Sequence, residues 1–164
     1  MRVTEKQLKV RYPYLFAGPN RGIEFPGGWL GILKKLYGKI DAALPANKKA
    51  SVWIEQQREK LGGLRVYLCA ASTQIHVISC TGPGIQPLPR EQTNLHFQLA
   101  KLIRDAEDLS RRTCMICGAQ GKLRTRRGWR VTLCSKHRRS KLEKLSEDGQ
   151  LQTATSNRRG QRTA

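Results

Sequence analysis

Four residues near the C-terminal end restrict this chain more than any others: Cys114-Met-Ile-Cys117, sixteen residues, then Cys134-Ser-Lys-His137. Two ligands separated by two residues close onto one ion without backbone strain, and two such pairs complete a tetrahedral Cys₃His set of the kind that holds Zn²⁺. Four protein ligands leave no open position for water, so the spacing predicts one structural Zn²⁺ rather than a catalytic one. A segment this short lacks the apolar core to fold alone, and metal binding supplies the missing free energy. Loss of a ligand such as Cys114 is therefore expected to release the ion and unfold this unit while sparing the rest. Gly118 and Gly121 suit a tight knuckle after the first pair. Lys122 to Arg126 and Trp129 to Leu133 read as hairpin arms turning near Arg127-Gly128, and Cys134 is expected to open a final helix.

Positive charge gathers around these ligands. The chain has 31 Lys and Arg against 12 Asp and Glu, a net charge of +19. Residues 111 to 144 hold twelve of the cations against Glu143 alone, so +11 of the +19 lies on the segment that the metal would fold. Such a field concentrates polyanions and points to nucleic acid, DNA or RNA, as partner. The cations best placed for phosphate oxygens are Arg124, Arg126, Arg127 and Arg130 on the hairpin, with Lys136, Arg138, Arg139 and Lys141 at the helix start. Trp129 has two readings here: an aromatic plate for an unpaired base, or a packing residue over the metal knuckle. The same charge also suits an acidic protein surface, which makes a host or defence protein the alternative partner.

No apolar run approaches the ~20 residues that span a bilayer, and the first residues lack a signal-peptide core. The expectation is a cytoplasmic protein with no membrane partner, whose cysteines serve as metal ligands or buried thiols rather than disulfides.

The first 110 residues read as an α+β domain. Thr4 and Gln7 have the form of a capping box, opening a helix from about residue 5 to Arg11, before Pro13. Prolines and glycines from Pro13 to Gly28 read as loop. Trp29, Ile32, Leu33, Leu36, Ile40, Ala43 and Leu44 then fall on one helical stripe. Lys34, Lys35 and Lys39 lie opposite it, and a charge run on an amphipathic helix is usually a solvated face. Three extended runs follow, Val52 to Glu55, Leu64 to Cys69 and Ile75 to Cys80, with turns at Gly62-Gly63 and Ala71-Ser72-Thr73. They predict a small antiparallel sheet of about three strands. After the Pro-rich stretch Thr81 to Pro89, Leu95, Leu99, Leu102, Ile103, Ala106 and Leu109 mark a second amphipathic helix ending about Ser110. The expected organisation is thus an α+β domain over 1–110, a zinc-binding unit over 111–146 and a mobile basic tail over 147–164.

Nothing nominates catalysis. Glu55, Glu59, Glu91, Asp105, Glu107 and Asp108 are scattered acids suited to helix or strand surfaces, His96 near a helix start reads as a partly exposed surface residue rather than a base, and phosphate-loop and dinucleotide fingerprints are absent. Cys69, His76 and Cys80 lack the two-residue ligand spacing of a second metal site.

Knuckle, hairpin and ligand-bearing helix together resemble a treble-clef zinc finger over about residues 113 to 146. The nucleases that share this fold carry a hairpin histidine, and none stands between Cys117 and Cys134. Arg11-Tyr-Pro-Tyr-Leu-Phe16, Gly27-Gly-Trp-Leu-Gly-Ile-Leu33, Glu59-Lys-Leu-Gly-Gly-Leu-Arg-Val-Tyr67 and the segment from Cys114 to His137 resemble a group of small phage and prophage proteins without an assigned activity. That resemblance implies a phage-encoded protein acting in the cytoplasm of a bacterial host.

Overall fold

A computed structural model describes residues 4–70, 90–126 and 128–138. The capping box forms as expected. The Thr4 N–H donates to Gln7 Oε1 at 2.9 Å, the Gln7 N–H donates to Thr4 Oγ1 at 3.3 Å, and helix α1 runs Glu5–Arg11. A 3₁₀ turn at Pro13–Phe16 and another at Gly27–Trp29 lead into α2, Leu30–Ala43. Ile32, Leu33, Leu36 and Ile40 are buried along the predicted stripe, and Lys34, Lys35 and Lys39 are exposed. Tyr37 is also fully buried, its hydroxyl donating to Gln57 Oε1 at 2.7 Å.

After the short helix α3, Ala46–Lys49, strands β1 (Val52–Lys60) and β2 (Gly63–Ala70) pair antiparallel. β1 is five residues longer than its apolar start suggested, because a bulge between Ile54 and Gln56 changes which side chains face inward. Val52 and Ile54 are buried before it and Gln57 after it, so a glutamine occupies a core position. The turn falls at Leu61-Gly62, one residue earlier than predicted. Both turn residues have positive φ, 54° at Leu61 and 79° at Gly62, the geometry of a two-residue type I′ turn, which favours Asn-Gly. A leucine in this region is strained by roughly 1–2 kcal/mol, and its side chain is 60% exposed, so burial does not offset the strain. Leu61→Asn is expected to stabilise the protein by about 0.5–1 kcal/mol, seen as a rise of a few degrees in the thermal midpoint; a fall would indicate that Leu61 makes a needed contact.

Helix α4, Arg90–Ser110, lies over α2 and β2. Leu99, Ile103 and Ala106 are buried as expected, but Leu109 is 40% exposed. The inward stripe continues instead through Glu107 and Ser110, one turn apart, both buried. These two polar side chains reach the outer edge of β2: the Leu64 N–H donates to Ser110 Oγ at 2.8 Å and the Val66 N–H to Glu107 Oε1 at 3.3 Å. Glu107 also receives Arg65 Nη1 at 3.3 Å. It is therefore not the surface acid that its sequence context suggested. Burial holds its carboxyl above the usual range, against the opposing pull of Arg65 and the Val66 N–H.

The outer edge of β1 is covered by the backbone of residues 21–24: the Arg21 N–H donates to Glu55 O at 2.7 Å, the Gln57 N–H to Gly22 O at 3.0 Å and the Glu24 N–H to Gln57 O at 2.8 Å. Among the described residues this sheet has two strands. The strand expected at 75–80 and the tail expected at 147–164 lie outside them. The second sheet is the hairpin β3 (Lys122–Arg126) and β4 (Trp129–Leu133), at the bounds predicted. The architecture is α+β, with small antiparallel sheets, amphipathic helices and a C-terminal Cys/His cluster.

Candidate metal centre and the basic face beside it

Between Thr113 and Gln120 the chain folds into a knuckle closed by an isolated antiparallel bridge. The Cys114 N–H donates to Ala119 O at 2.7 Å and the Gly118 N–H to Cys114 O at 2.9 Å. Gly118 has φ +77°, which a glycine adopts without strain and which turns the chain back sharply after Cys117. Gly121 is packed between the Cys114 backbone and Thr132. Both glycines thus serve the tight turn expected of them. Cys134 leaves the end of β4, and residues 135–138 form one turn closed by the Arg138 N–H on Cys134 O at 3.0 Å. The helix expected to open at Cys134 is not seen in residues 135–138, and the rest of its expected span lies outside the described residues.

This folding brings the four predicted ligands together, with Sγ of Cys114, Cys117 and Cys134 and a ring nitrogen of His137 all within 4.8 Å of one another. Cys117 Sγ lies 3.8 Å from Cys134 Sγ, and His137 Nδ1 lies 3.5 Å from Cys114 Sγ and 3.3 Å from Cys134 Sγ. A tetrahedral ion with metal–sulfur bonds of about 2.3 Å and a metal–nitrogen bond of about 2.0 Å has sulfur–sulfur edges near 3.8 Å and sulfur–nitrogen edges near 3.5 Å. These three separations lie close to those edges and the others are within 4.8 Å, so the four side chains are placed to bind one metal ion. Cys114 and Cys134 are buried, His137 is half-buried and Cys117 is exposed. The Cys134 thiol is lowered to about 6, first by the His137 backbone N–H and then by the His137 ring and the two neighbouring sulfurs, with burial opposing. These neighbours favour the Cys134 thiolate, the form that ligates a metal ion. Among the described residues this is the one group of side chains that could hold a metal. Cys69 is not part of it; His76 and Cys80 lie outside the described residues.

The knuckle does not stand apart from the α/β core. The Gly28 N–H donates to Met115 O at 2.9 Å, and Trp29 Nε1, in a fully buried side chain, donates to Thr113 O at 3.0 Å. Met115 packs against both the main core and the small core of Cys114, Leu133 and Cys134. On the other side Thr132 Oγ1 donates to Gly62 O at 2.6 Å, and Gly62 sits against Leu123 and the Arg130 backbone. The sequence placed Gly27-Gly28 in a loop. Two adjacent glycines before a buried tryptophan were the one signal that another backbone approaches there.

The register of the second hairpin sorts the predicted cations. Lys122 pairs with Leu133, Arg124 with Val131 and Arg126 with Trp129, so these six share one face. Leu123, Thr125, Arg130 and Thr132 belong to the opposite face, which meets the β1–β2 turn. Arg124, Arg126 and Arg138 converge with Thr125, Val131 and Leu133 on a cleft of about 330 Å³. Trp129 is 61% exposed and belongs to neither core, so it does not cover the knuckle. Arg130 and Lys136 are exposed, away from the cleft. Arg127, Arg139 and Lys141 lie outside the described residues.

No described helix is long and apolar enough to cross a membrane. No protein-family model, curated protein or solved structure matches the chain.

Proposed function

We propose that this chain is a zinc-stabilised nucleic-acid-binding protein that grips the phosphate backbone through the free face of its β3–β4 hairpin and acts by binding rather than by catalysis. The observation that carries this reading is the cleft beside the ligand cluster: three arginines line it, and none has a carboxylate partner among the described residues. Zn²⁺ suits three sulfurs and one imidazole at tetrahedral spacing, and its full coordination makes it a structural ion. It would hold β4 and the knuckle in the register that places Arg124 and Arg126 on one side. A phage-encoded role in a bacterial cytoplasm, implied by the motif resemblance, agrees with a small basic binder.

The test is binding to random-sequence DNA and RNA across salt concentrations. Each phosphate contact adds about 0.9 to the slope of log affinity against log salt. Arg124→Glu with Arg126→Glu is expected to lower affinity at least roughly tenfold and flatten the slope by about 2. An unchanged slope and affinity, with metal content retained, would remove the hairpin face as the contact surface. Absence of binding by the native chain, beside stable capture of one host protein, would replace nucleic acid by a protein partner.

A further inference from the structure

The cleft on the free face has a composition that backbone gripping does not require. Cations that track a nucleic-acid backbone are usually spread along it, one per phosphate, each able to meet a diester with a single negative charge. Here three guanidiniums, Arg124, Arg126 and Arg138, line one cleft of about 330 Å³ whose other described lining residues are Thr125 and the apolar Val131 and Leu133. Arg124 Nε is buried without a hydrogen-bond partner, so one donor of the fork is desolvated and unpaired. A buried unsatisfied donor is costly unless a ligand or water accepts from it. Three like charges at one place, with no acid among the described lining residues, call for an anion carrying more than one charge. Arginine forks fit phosphate oxygens in pairs. Trp129 stands opposite Arg126 on the same face and is mostly exposed, next to where a phosphate-bearing nucleotide would place its base.

We infer that this cleft binds a phosphomonoester on a nucleotide, most naturally the terminal phosphate of a nucleic-acid strand, with the adjoining base stacked on Trp129. The inference rests on the nucleic-acid reading and narrows it from backbone to strand end. A monoester carries close to two negative charges at neutral pH and three terminal oxygens, whereas an internal diester offers one charge and two. Each additional charge-assisted hydrogen bond is worth roughly tenfold in affinity.

The experiment compares short single-stranded oligonucleotides that differ only at their ends: 5′-phosphate, 3′-phosphate, or hydroxyl at both. The expected result is at least a tenfold preference for one phosphorylated end, weakening as pH falls below the second phosphate ionisation at about 6. Arg124→Lys with Arg126→Lys keeps the charge but removes the forks. It is expected to lose the end preference while retaining zinc content and thermal midpoint. Trp129→Ala is expected to lower affinity for the preferred end without abolishing the preference. Competition by a nucleoside monophosphate and by inorganic phosphate separates the sources. Displacement by the monophosphate at micromolar concentration, with no strand binding, would establish the phosphomonoester site and overturn the nucleic-acid reading. Equal affinity for phosphorylated and hydroxyl-ended strands with a steep salt slope would overturn this inference and leave that reading intact. No binding of strands, monophosphate or phosphate would overturn both.

Discussion

Replacing Cys114 with Ser, or stripping the ion with a chelator, is expected to destabilise the α/β core as well as the knuckle. Structural zinc contributes on the order of 10 kcal/mol to a small unit that has little else to fold on, so residues 112–138 should lose their structure outright. Taken alone, the ligand spacing suggested that damage would stop there. Three hydrogen bonds say otherwise: Gly28 N–H to Met115 O, Trp29 Nε1 to Thr113 O and Thr132 Oγ1 to Gly62 O all cross between the knuckle or its hairpin and the core. At about 1 kcal/mol each, their loss removes about 3 kcal/mol, and Trp29 would become solvent-accessible on one side. For a domain of this size that corresponds to a fall of more than about 10 °C in the midpoint of the remaining transition. Hydrogen exchange should show lost protection in the first turn of α2 and around the β1–β2 turn. Retained protection there, with the knuckle melted, would show that the two parts fold independently. Acid should act in the same direction. The ligand form of each cysteine is the thiolate, and the Cys134 thiol is already depressed to about 6. The stability that the metal supplies is therefore present above the thiol range set by the occupied site and is lost as pH falls and protons displace the ion.

The second large effect is expected at Gly28. A Cβ there would run into the Cys114 carbonyl oxygen and sit 2.6 Å from the Met115 carbonyl oxygen. Both are backbone atoms of the knuckle, which cannot give way as a flexible side-chain tip would. Gly28→Ala is expected to cost at least about 1–3 kcal/mol by forced displacement and to weaken metal affinity, because pushing Cys114 outward opens the ligand set. Two neighbouring glycines supply the contrast. A Cβ at Gly27 or Gly31 meets nothing within 4 Å. Gly31 lies in α2, where alanine is favoured over glycine by about 1 kcal/mol. Gly31→Ala should therefore raise the thermal midpoint and leave metal affinity unchanged. If Gly28→Ala held its metal as tightly as Gly31→Ala, the knuckle would not be seated on Gly28.

Where the sequence was legible, a short-range rule governed the outcome. The capping box at Thr4, the stripe of α2 and the arms of β3 and β4 depend on residues three or four apart or on strict alternation. The ligand set depends on two-residue spacing. What stayed hidden depended on contacts between distant segments. Gln57 is inward because a bulge at Glu55 moves it there, and no apolar residue announces that. The same holds for the last turn of α4. Leu109 continues the hydrophobic pattern on paper, yet Glu107 and Ser110 face inward because the edge of β2 offers N–H groups that only polar side chains can satisfy. The sorting of cations was half-legible: alternation along β3 puts Arg124 and Arg126 together, but which face of the hairpin is free follows from Gly62 docking on the other.

The way the β1–β2 hairpin is bordered also bears on how this protein behaves at high concentration. An exposed strand edge is a template on which another chain can add itself, the first step of fibrillar assembly. Here the backbone of residues 21–24 occupies one border at Glu55 and Gln57, and the Ser110 and Glu107 side chains occupy Leu64 and Val66 on the other. Glu107 further places a carboxylate where an incoming strand would have to bring its carbonyls. A sheet bordered in this way grows poorly in either direction at these positions, so recruitment of like chains through it is disfavoured by geometry as well as by the mutual repulsion of +19 molecules.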